Sequence, residues 1–272
     1  MSIHPTATID RGAEIDSTAE IGPCCVIGPH VKIAAKTQLL AHVVVQNHTT
    51  IGQGNTIHPF AVIGGAPQDL KFRGEPSRLV IGDDNIIRES ATLNIGTEGG
   101  HMETRIGNGC LLMAYTHVAH DCHLGDQVIL ANNASLAGHV DVGNKAILGG
   151  MAGVHQFCRV GRHAFLAGGA MVVQDVPPFC IAQGDRAHLV GINVIGLRRA
   201  GFSREKIHTL RDVFKRLFLT QTTRLVALER TEKEMANSSE EVQEFCAFIR
   251  QAERGICQAR FDNSSTEITD ES

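Results

Sequence analysis

A beat of six residues runs through most of this chain. Aliphatic side chains recur at Ile3, Ile9, Ile15, Ile21, Ile27, Ile33, Leu39, Val45, Ile51, Ile57 and Ile63. The beat resumes over Ile81, Ile87 and Leu93, and again from Ile106 through Leu112, Val118, Leu124, Leu130, Leu136, Val142, Leu148, Val154, Val160 and Leu166 to Val172. Six fits neither the 3.6-residue turn of a helix nor the alternation of a flat strand. It describes a chain that repeats one conformation every six residues, a hexapeptide β-solenoid. Glycine often follows the aliphatic residue, as in Ile21-Gly22, Ile106-Gly107 and Val142-Gly143, and suits a tight corner close to a neighbouring coil. Three hexapeptides close one triangular coil, so residues eighteen apart stack and each coil buries its aliphatic positions against its neighbours. The twenty-six positions of the beat predict about nine coils and a prism of roughly 40 Å at ~4.8 Å per coil. With no Trp and one Tyr in 272 residues, the composition suits so narrow a core.

The beat ends at Val172, and Val176-Pro177-Pro178-Phe179 breaks the strand rhythm. From Ser203 the spacing becomes helical, with Ile207, Leu210, Val213, Phe214, Leu217 and Phe218 on one face. A second helix is expected from about Thr223, and Ser238 with Glu241 reads as a capping box before a third that carries Val242, Phe245, Cys246 and Ile249. The expected organisation is a solenoid over residues 1–191, a helical domain over residues 192–261 and a frayed acidic tail over residues 262–272. A net charge of −4 gives no global attraction to nucleic acid or anionic membrane, and no apolar run is long enough for stable membrane insertion. The first repeat begins at Ile3, which leaves no room for a signal peptide, so a cytoplasmic location is expected. Eight cysteines without a C-x-x-C pair read as small reduced core residues.

Two interruptions and one cluster point to chemistry. Residues 64–80, GGAPQDLKFRGEPSRLV, form a polar loop leaving the prism, and a glycine-rich stretch over residues 97–105 shifts the register by one. Six of the fourteen histidines lie between Tyr115 and His163: His117, His120, His123, His139, His155 and His163. Neutral imidazole accepts protons near pH 7, and Asp121 beside His120 is the partner that fixes a basic tautomer. Adjacent residues on a strand face opposite ways unless the pair straddles a corner. The run His117-x-x-His120-x-x-His123 resembles a zinc ligand set. Its members fall on different faces of a prism, however, and no metal is expected. Cys122 is a rival as nucleophile, but a small buried thiol is the simpler reading.

The stretches PQDLKFRGE, AHDC, ILANNASLAGHV, GGMAGVHQF, VPPF and GFSRE, in this order on a hexapeptide solenoid with a helical tail, resemble the UDP-N-acetylglucosamine O-acyltransferase family. The resemblance runs from near Ile3 to about Phe218. It implies a mainly β fold, a left-handed parallel β-helix of hexapeptide repeats with a C-terminal α-helical domain. It also implies a homotrimer with active sites between subunits. The implied reaction opens lipid A biosynthesis: a (3R)-3-hydroxyacyl chain passes from acyl carrier protein to the 3-hydroxyl of UDP-N-acetylglucosamine. There is no cofactor beyond the carrier thioester as co-substrate.

By motif, His120 matches the family's general base, Asp121 its partner, and Gly138 the position whose N–H holds the oxyanion. His117, His139, His155 and Gln156 match positions lining the cleft. Asp69 and Lys71, with Gln68 beside them, match acceptor contacts. Asn193 and Arg199 match positions near the nucleotide. Gly168 matches the residue that closes the acyl groove, and its missing side chain implies a long chain, of about myristoyl length. Ile195 and Ala200 depart from the usual acidic residue and second arginine, and LNIGT lacks a basic residue common there. The acceptor's 3-hydroxyl or 3-amino group and the surface that meets acyl carrier protein stay open. So do another hexapeptide acyltransferase, either a UDP-sugar N-acyltransferase or a CoA-dependent acetyltransferase, and a non-enzymatic scaffold.

Overall fold

In a computed structural model that describes residues 2–235 and 239–260, most hexapeptides become a two-residue strand followed by a two-residue corner. The second strand residue is the aliphatic one of the beat. Pairing is parallel and eighteen residues apart: Ile3 lies beside Ile21, Ile9 beside Ile27 and Ile15 beside Ile33. The strands collect into three sheets of eleven, nine and eight strands, the faces of a triangular prism that winds as a left-handed parallel β-helix. The first sheet starts at Ser2–Ile3, the second at Thr8–Ile9 and the third at Glu14–Ile15. Two-residue strands carry little of the twist that sets the usual hand of a crossover.

Corners repeat as faithfully as strands. Tyr115, Asp121, Gln127, Asn133, His139, Lys145, Met151, Phe157 and His163 all have φ between 56° and 64°. The left-handed conformation costs an L-residue about 1–2 kcal/mol, so stacking of coil on coil must offset it at every turn. The core has two beats rather than one. Four residues after each aliphatic comes a smaller side chain that also points inward: Val118 and Cys122, Leu130 and Ala134, and Leu136 and Val140 are all 0% exposed. Cys25, Cys110, Cys122 and Cys158 occupy this second beat as free buried thiols.

Both interruptions leave the prism between the second and third sheets. After strand Val62–Gly65 the chain loops out and returns at Arg78–Ile81, where Ile81 pairs with Ile51. After Thr92–Asn94 it loops out again and returns at Glu103–Ile106, pairing with Arg78–Ile81. At the C-terminal end the last coil is shortened by two residues before Pro177 and Pro178, so Val176 bridges Val160 and Ala182 pairs with Leu166, each sixteen residues apart. Strand His188–Ile192 then pairs antiparallel to Cys180–Gln183.

Four helices follow: α1 (Val194–Arg199), α2 (Arg204–Phe218), α3 (Arg224–Glu234) and α4 (Glu240–Arg250). Ser203 caps α2 by accepting the Lys206 N–H, and the six apolar residues anticipated on one face are buried. The cap of α4 is Ser239, one residue later than the capping-box reading, and Glu241 pairs with Lys206 at 2.7 Å instead of closing a box. Ser238 lies outside the described residues, as does the expected tail over residues 262–272. Arg162 binds Glu244 through two nitrogens, at 3.0 and 2.7 Å to Oε2, and Arg159 donates to the Phe248 carbonyl at 2.9 Å, fastening α4 to the prism. Helix ends at Arg250. Beyond it the chain turns at Gly255, φ 76°, and returns to the prism, where Ile256 bridges Asp175 and Ala259 bridges Leu189.

Candidate active site

His120 and Asp121 form the corner after strand His117–Val118. A φ of 58° at Asp121 swings its side chain to the same side as His120, and Nδ1 of the imidazole lies 2.9 Å from Oδ2. The glycine-rich interruption explains itself here. It crosses over Asp121, where the Thr97 N–H donates to Oδ1 at 3.1 Å, the Thr97 hydroxyl to Oδ2 at 2.6 Å and the His101 N–H to Oδ1 at 2.8 Å. Gly100 passes so close that a Cβ there would run into the carboxyl group. Asp121 is 1% exposed. Burial alone would raise its pKa, but the hydrogen bonds from His120, Thr97 and His101 outweigh it and hold the carboxyl at about 2. A buried anion that accepts from Nδ1 leaves the His120 proton there and the lone pair on Nε2.

One coil further on, Gly138 and His139 form the corresponding corner. A Cβ on Gly138 would stand 2.6 Å from His120 Cε1 and 2.7 Å from Nε2, so the backbone lies directly against the ring. Gly138 is buried, and its N–H donates to no acceptor among the described residues. The His139 ring meets His120 edge-on at 5.1 Å and stacks on Phe157 at 4.4 Å. His117 lies on the neighbouring strand with Nδ1 2.7 Å from Thr92 Oγ1. Burial, reinforced by His120, lowers the pKa of His117, and burial lowers that of His139 against the pull of Asp121. Both shifts favour the neutral ring.

His120, Asp121 and His139 bring possible ligand atoms within 4.8 Å of one another. The Asp121 oxygens already accept from Thr97, His101 and His120, which suits an orienting carboxylate better than a metal ligand. The run of three histidines does not converge, because His123 belongs to the third sheet, stacks on His101 and lies 3.6 Å from Asp141. Burial pushes the Cys122 thiol up to about 12, which removes it as a nucleophile.

The chain is similar to known proteins. Residues 103–138 match the bacterial transferase hexapeptide model, and residues 175–257 match domain 2 of UDP N-acetylglucosamine O-acyltransferase. An acyl-[acyl-carrier-protein]–UDP-N-acetylglucosamine O-acyltransferase from Anaeromyxobacter sp. (strain Fw109-5) is 50% identical over 94% of this chain and 99% of its own length. The chain belongs to the UDP-N-acetylglucosamine O-acyltransferase family. A relative of the same description from Myxococcus xanthus (strain DK1622) is 47% identical over 76% of this chain and 80% of its own. The solved UDP-N-acetylglucosamine acyltransferase of Francisella novicida superposes with a TM-score of 0.92 at 38% identity, covering 99% of this chain and 100% of its own.

The other residues that resemble the family's binding positions are spread over the molecule. In the first loop Gln68 and Lys71 are exposed, while Asp69 is half-buried and accepts the Lys71 N–H at 2.9 Å. Phe72 packs against the core, and Asn94 holds the loop base by donating to the Gly65 and Ala66 carbonyls at 3.3 and 3.1 Å. The charge of the Asp69 carboxylate, with that of Asp121, opposes the burial that lowers the pKa of His139. His155 and Gln156 are exposed two coils beyond His120. Gly168 lies at the opposite edge of the second sheet, where an added Cβ would meet the Gly150 carbonyl oxygen alone, at 3.4 Å.

Asn193 and Arg199 stand at the end of the prism. Asn193 is 8% exposed and caps α1, its Oδ1 accepting the Gly196 N–H and its Nδ2 donating to the His163 carbonyl, each at 3.0 Å. Each end of its amide makes one hydrogen bond within the chain. Arg199 closes α1 and is exposed. Thr97, His101 and Thr104, whose hydroxyl accepts the Asp121 N–H at 2.8 Å, complete the site and were absent from the sequence reading. The signal for them was the paired glycine ahead of His101, in the interruption that precedes the AHDC coil.

Proposed function

We propose that this chain transfers a (3R)-3-hydroxyacyl group from acyl carrier protein to the 3-hydroxyl of UDP-N-acetylglucosamine, the opening step of lipid A biosynthesis, with His120 as general base. The observation that carries this reading is the corner itself: an imidazole oriented through Nδ1 by a buried carboxylate, with the backbone of Gly138, whose N–H has no acceptor among the described residues, packed against the ring. The names of the relatives supply the substrates.

A sugar hydroxyl attacks a thioester only as its proton leaves, and Nε2 of His120 takes that proton while the oxygen bonds to the acyl carbon. The tetrahedral oxyanion is held by the Gly138 N–H, a donor already in place and desolvated. Collapse expels the carrier's thiolate, and the imidazolium returns the proton to it. Asp121 steadies the imidazolium in between. The transfer is direct and needs no acyl-enzyme.

Asp69, Lys71, Gln68, His117 and His139 bind the acceptor sugar. His155, Gln156, Asn193 and Arg199 belong to the nucleotide end of a cleft completed by a neighbouring copy in a homotrimer. This division accounts for their distance from His120 along one prism. Ala200 in place of a second arginine removes one charged contact to the diphosphate, leaving Arg199 and Arg198 to supply it. No helix among the described residues is long and apolar enough to cross a membrane. Incubation with UDP-N-acetylglucosamine, its 3-amino analogue and 3-hydroxyacyl carrier proteins, read by mass spectrometry, is expected to yield the O-acylated sugar nucleotide. Acylation of the amino analogue alone, or of neither, overturns the proposal.

A further inference from the structure

We infer that Glu75 is a positioning residue: its carboxylate joins the loop that binds the acceptor sugar to the arc that orients Asp121, so that seating the sugar and aiming the base are coupled. The inference rests on the function proposed above. Both interruptions leave the prism between the second and third sheets, on adjacent coils. Their bases are tied together, with the Ser77 hydroxyl donating to the Gly96 carbonyl and Arg78 Nε to Glu103 Oε2. Farther out, half-buried Glu75 makes the join. Its Oε2 accepts the Arg73 N–H of its own loop at 2.8 Å, and its Oε1 accepts the Glu98 N–H of the other at 3.1 Å. The bond from Arg73 does most to hold the carboxyl below its ordinary range, so both oxygens accept as those of an anion.

What each oxygen holds gives the join its meaning. The Glu98 N–H belongs to the peptide unit that follows Thr97, and the carbonyl of that unit accepts the N–H groups of Gly100 and Met102, each at 3.1 Å. One peptide unit thus shapes the arc, and Thr97 at its start gives its own N–H and hydroxyl to Asp121. The Arg73 N–H closes a knot around the proposed acceptor contacts. Asp69 accepts the Lys71 N–H through its side chain and the Phe72 N–H through its carbonyl, and Arg73 Nη1 reaches back to the Leu70 and Phe72 carbonyls at 2.7 and 3.1 Å. The route from sugar to base then runs from Asp69 and Lys71 through Glu75 and Thr97 to Asp121 and His120. A carboxylate suits the join because it offers an acceptor oxygen to each loop, whereas an amide offers one.

The test measures kcat and both KM values for the parent, Glu75→Ala, Glu75→Gln, Thr97→Val and the Glu75→Ala/Thr97→Val double variant, each checked for parental thermal unfolding. Glu75→Ala is expected to lower kcat about tenfold and to raise KM for UDP-N-acetylglucosamine about fivefold, with KM for the acyl carrier protein within about twofold of the parent. Glu75→Gln keeps one acceptor and should lose about threefold in kcat. Because the effect on the base passes through Thr97, Glu75→Ala should cost less than about threefold further in kcat when Thr97 is already Val, and still raise the acceptor KM. Parental kcat and acceptor KM in a folded Glu75→Ala enzyme, or the same loss of kcat in both backgrounds, overturns the inference and leaves the proposed reaction standing. Should Glu75→Ala fail to fold, parental values in Glu75→Gln overturn it equally. A parent that transfers no acyl chain overturns the reaction itself.

Discussion

The corners after the second and third sheets are built from the same two-residue turn and spend their backbone donors differently. After the third sheet, Asp83, Asn108, Asp126 and Asn144 stack in a ladder. The side-chain Oδ1 of each accepts the N–H of the corner residue one coil below, Gln53, Asp83, Asn108 and Asp126 in turn, at 2.8–2.9 Å. Glycine precedes each rung; at Gly107 a Cβ would meet the Gly125 carbonyl oxygen at 2.5 Å. After the second sheet the equivalent positions are His120, Gly138 and Gln156, and no side chain caps the Gly138 N–H. A buried donor left unpaired costs about 1–3 kcal/mol. The third-sheet corners carry this side-chain cap and the Gly138 N–H beside the imidazole does not, so a substrate oxygen can pair with it.

The sharpest way to break this contrast is to alter the orienting carboxylate. Asp121→Asn preserves the shape but can offer an N–H to Nδ1, which moves the ring proton to Nε2. Steady-state transfer should fall by about 10²–10⁴, and retention of the parental rate would mean that the tautomer is not set by Asp121. Gly138→Ala follows in size: its methyl would displace the His120 ring, and kcat is expected to drop by about a hundredfold with an unchanged circular-dichroism spectrum.

The capped corner should answer in the other currency. Asp126→Ala deletes the side-chain acceptor for the Asn108 N–H and is expected to cost about 1–2 kcal/mol in chemical denaturation while kcat stays within about twofold. A large loss of rate there would erase the distinction between the two corners. The last test is the response to acid. Because the Asp121 carboxyl is held at about 2 in the fold against ~3.9 when unfolded, it contributes roughly 2 kcal/mol. That contribution is complete above about pH 4 and lost as pH falls through 2. The parent's stability should therefore decline more steeply between pH 4 and pH 2 than that of Asp121→Asn, and equal slopes would count against a buried, hydrogen-bonded anion.

The prism was legible in Ile3 through Val172 because each coil repeats the same burial, so one spacing carries the fold. The inner beat of Cys122, Ala134 and Val140 was harder to see, since small residues also occupy exposed positions. His120 and Asp121 stood out as a base beside a carboxylate, and the requirement that they straddle a corner is met by the left-handed φ of Asp121. The partners of that carboxylate were not legible. Thr97 and His101 come from an interruption whose path no periodicity governs, more than a full coil earlier in the chain. Asn193 was read from a motif as a nucleotide contact, yet its amide is engaged at the start of α1, a use that depends on the His163 carbonyl thirty residues away. Side chains that answer to repeated neighbours can be read from spacing; those that answer to a loop crossing overhead cannot.

The most direct test of the account is the rate of acyl transfer by His120→Ala compared with the parent, each checked for parental thermal unfolding. A base at Nε2 predicts a fall of at least about a hundredfold in a protein that remains folded. A folded His120→Ala variant that transfers the acyl chain at close to the parental rate would contradict it.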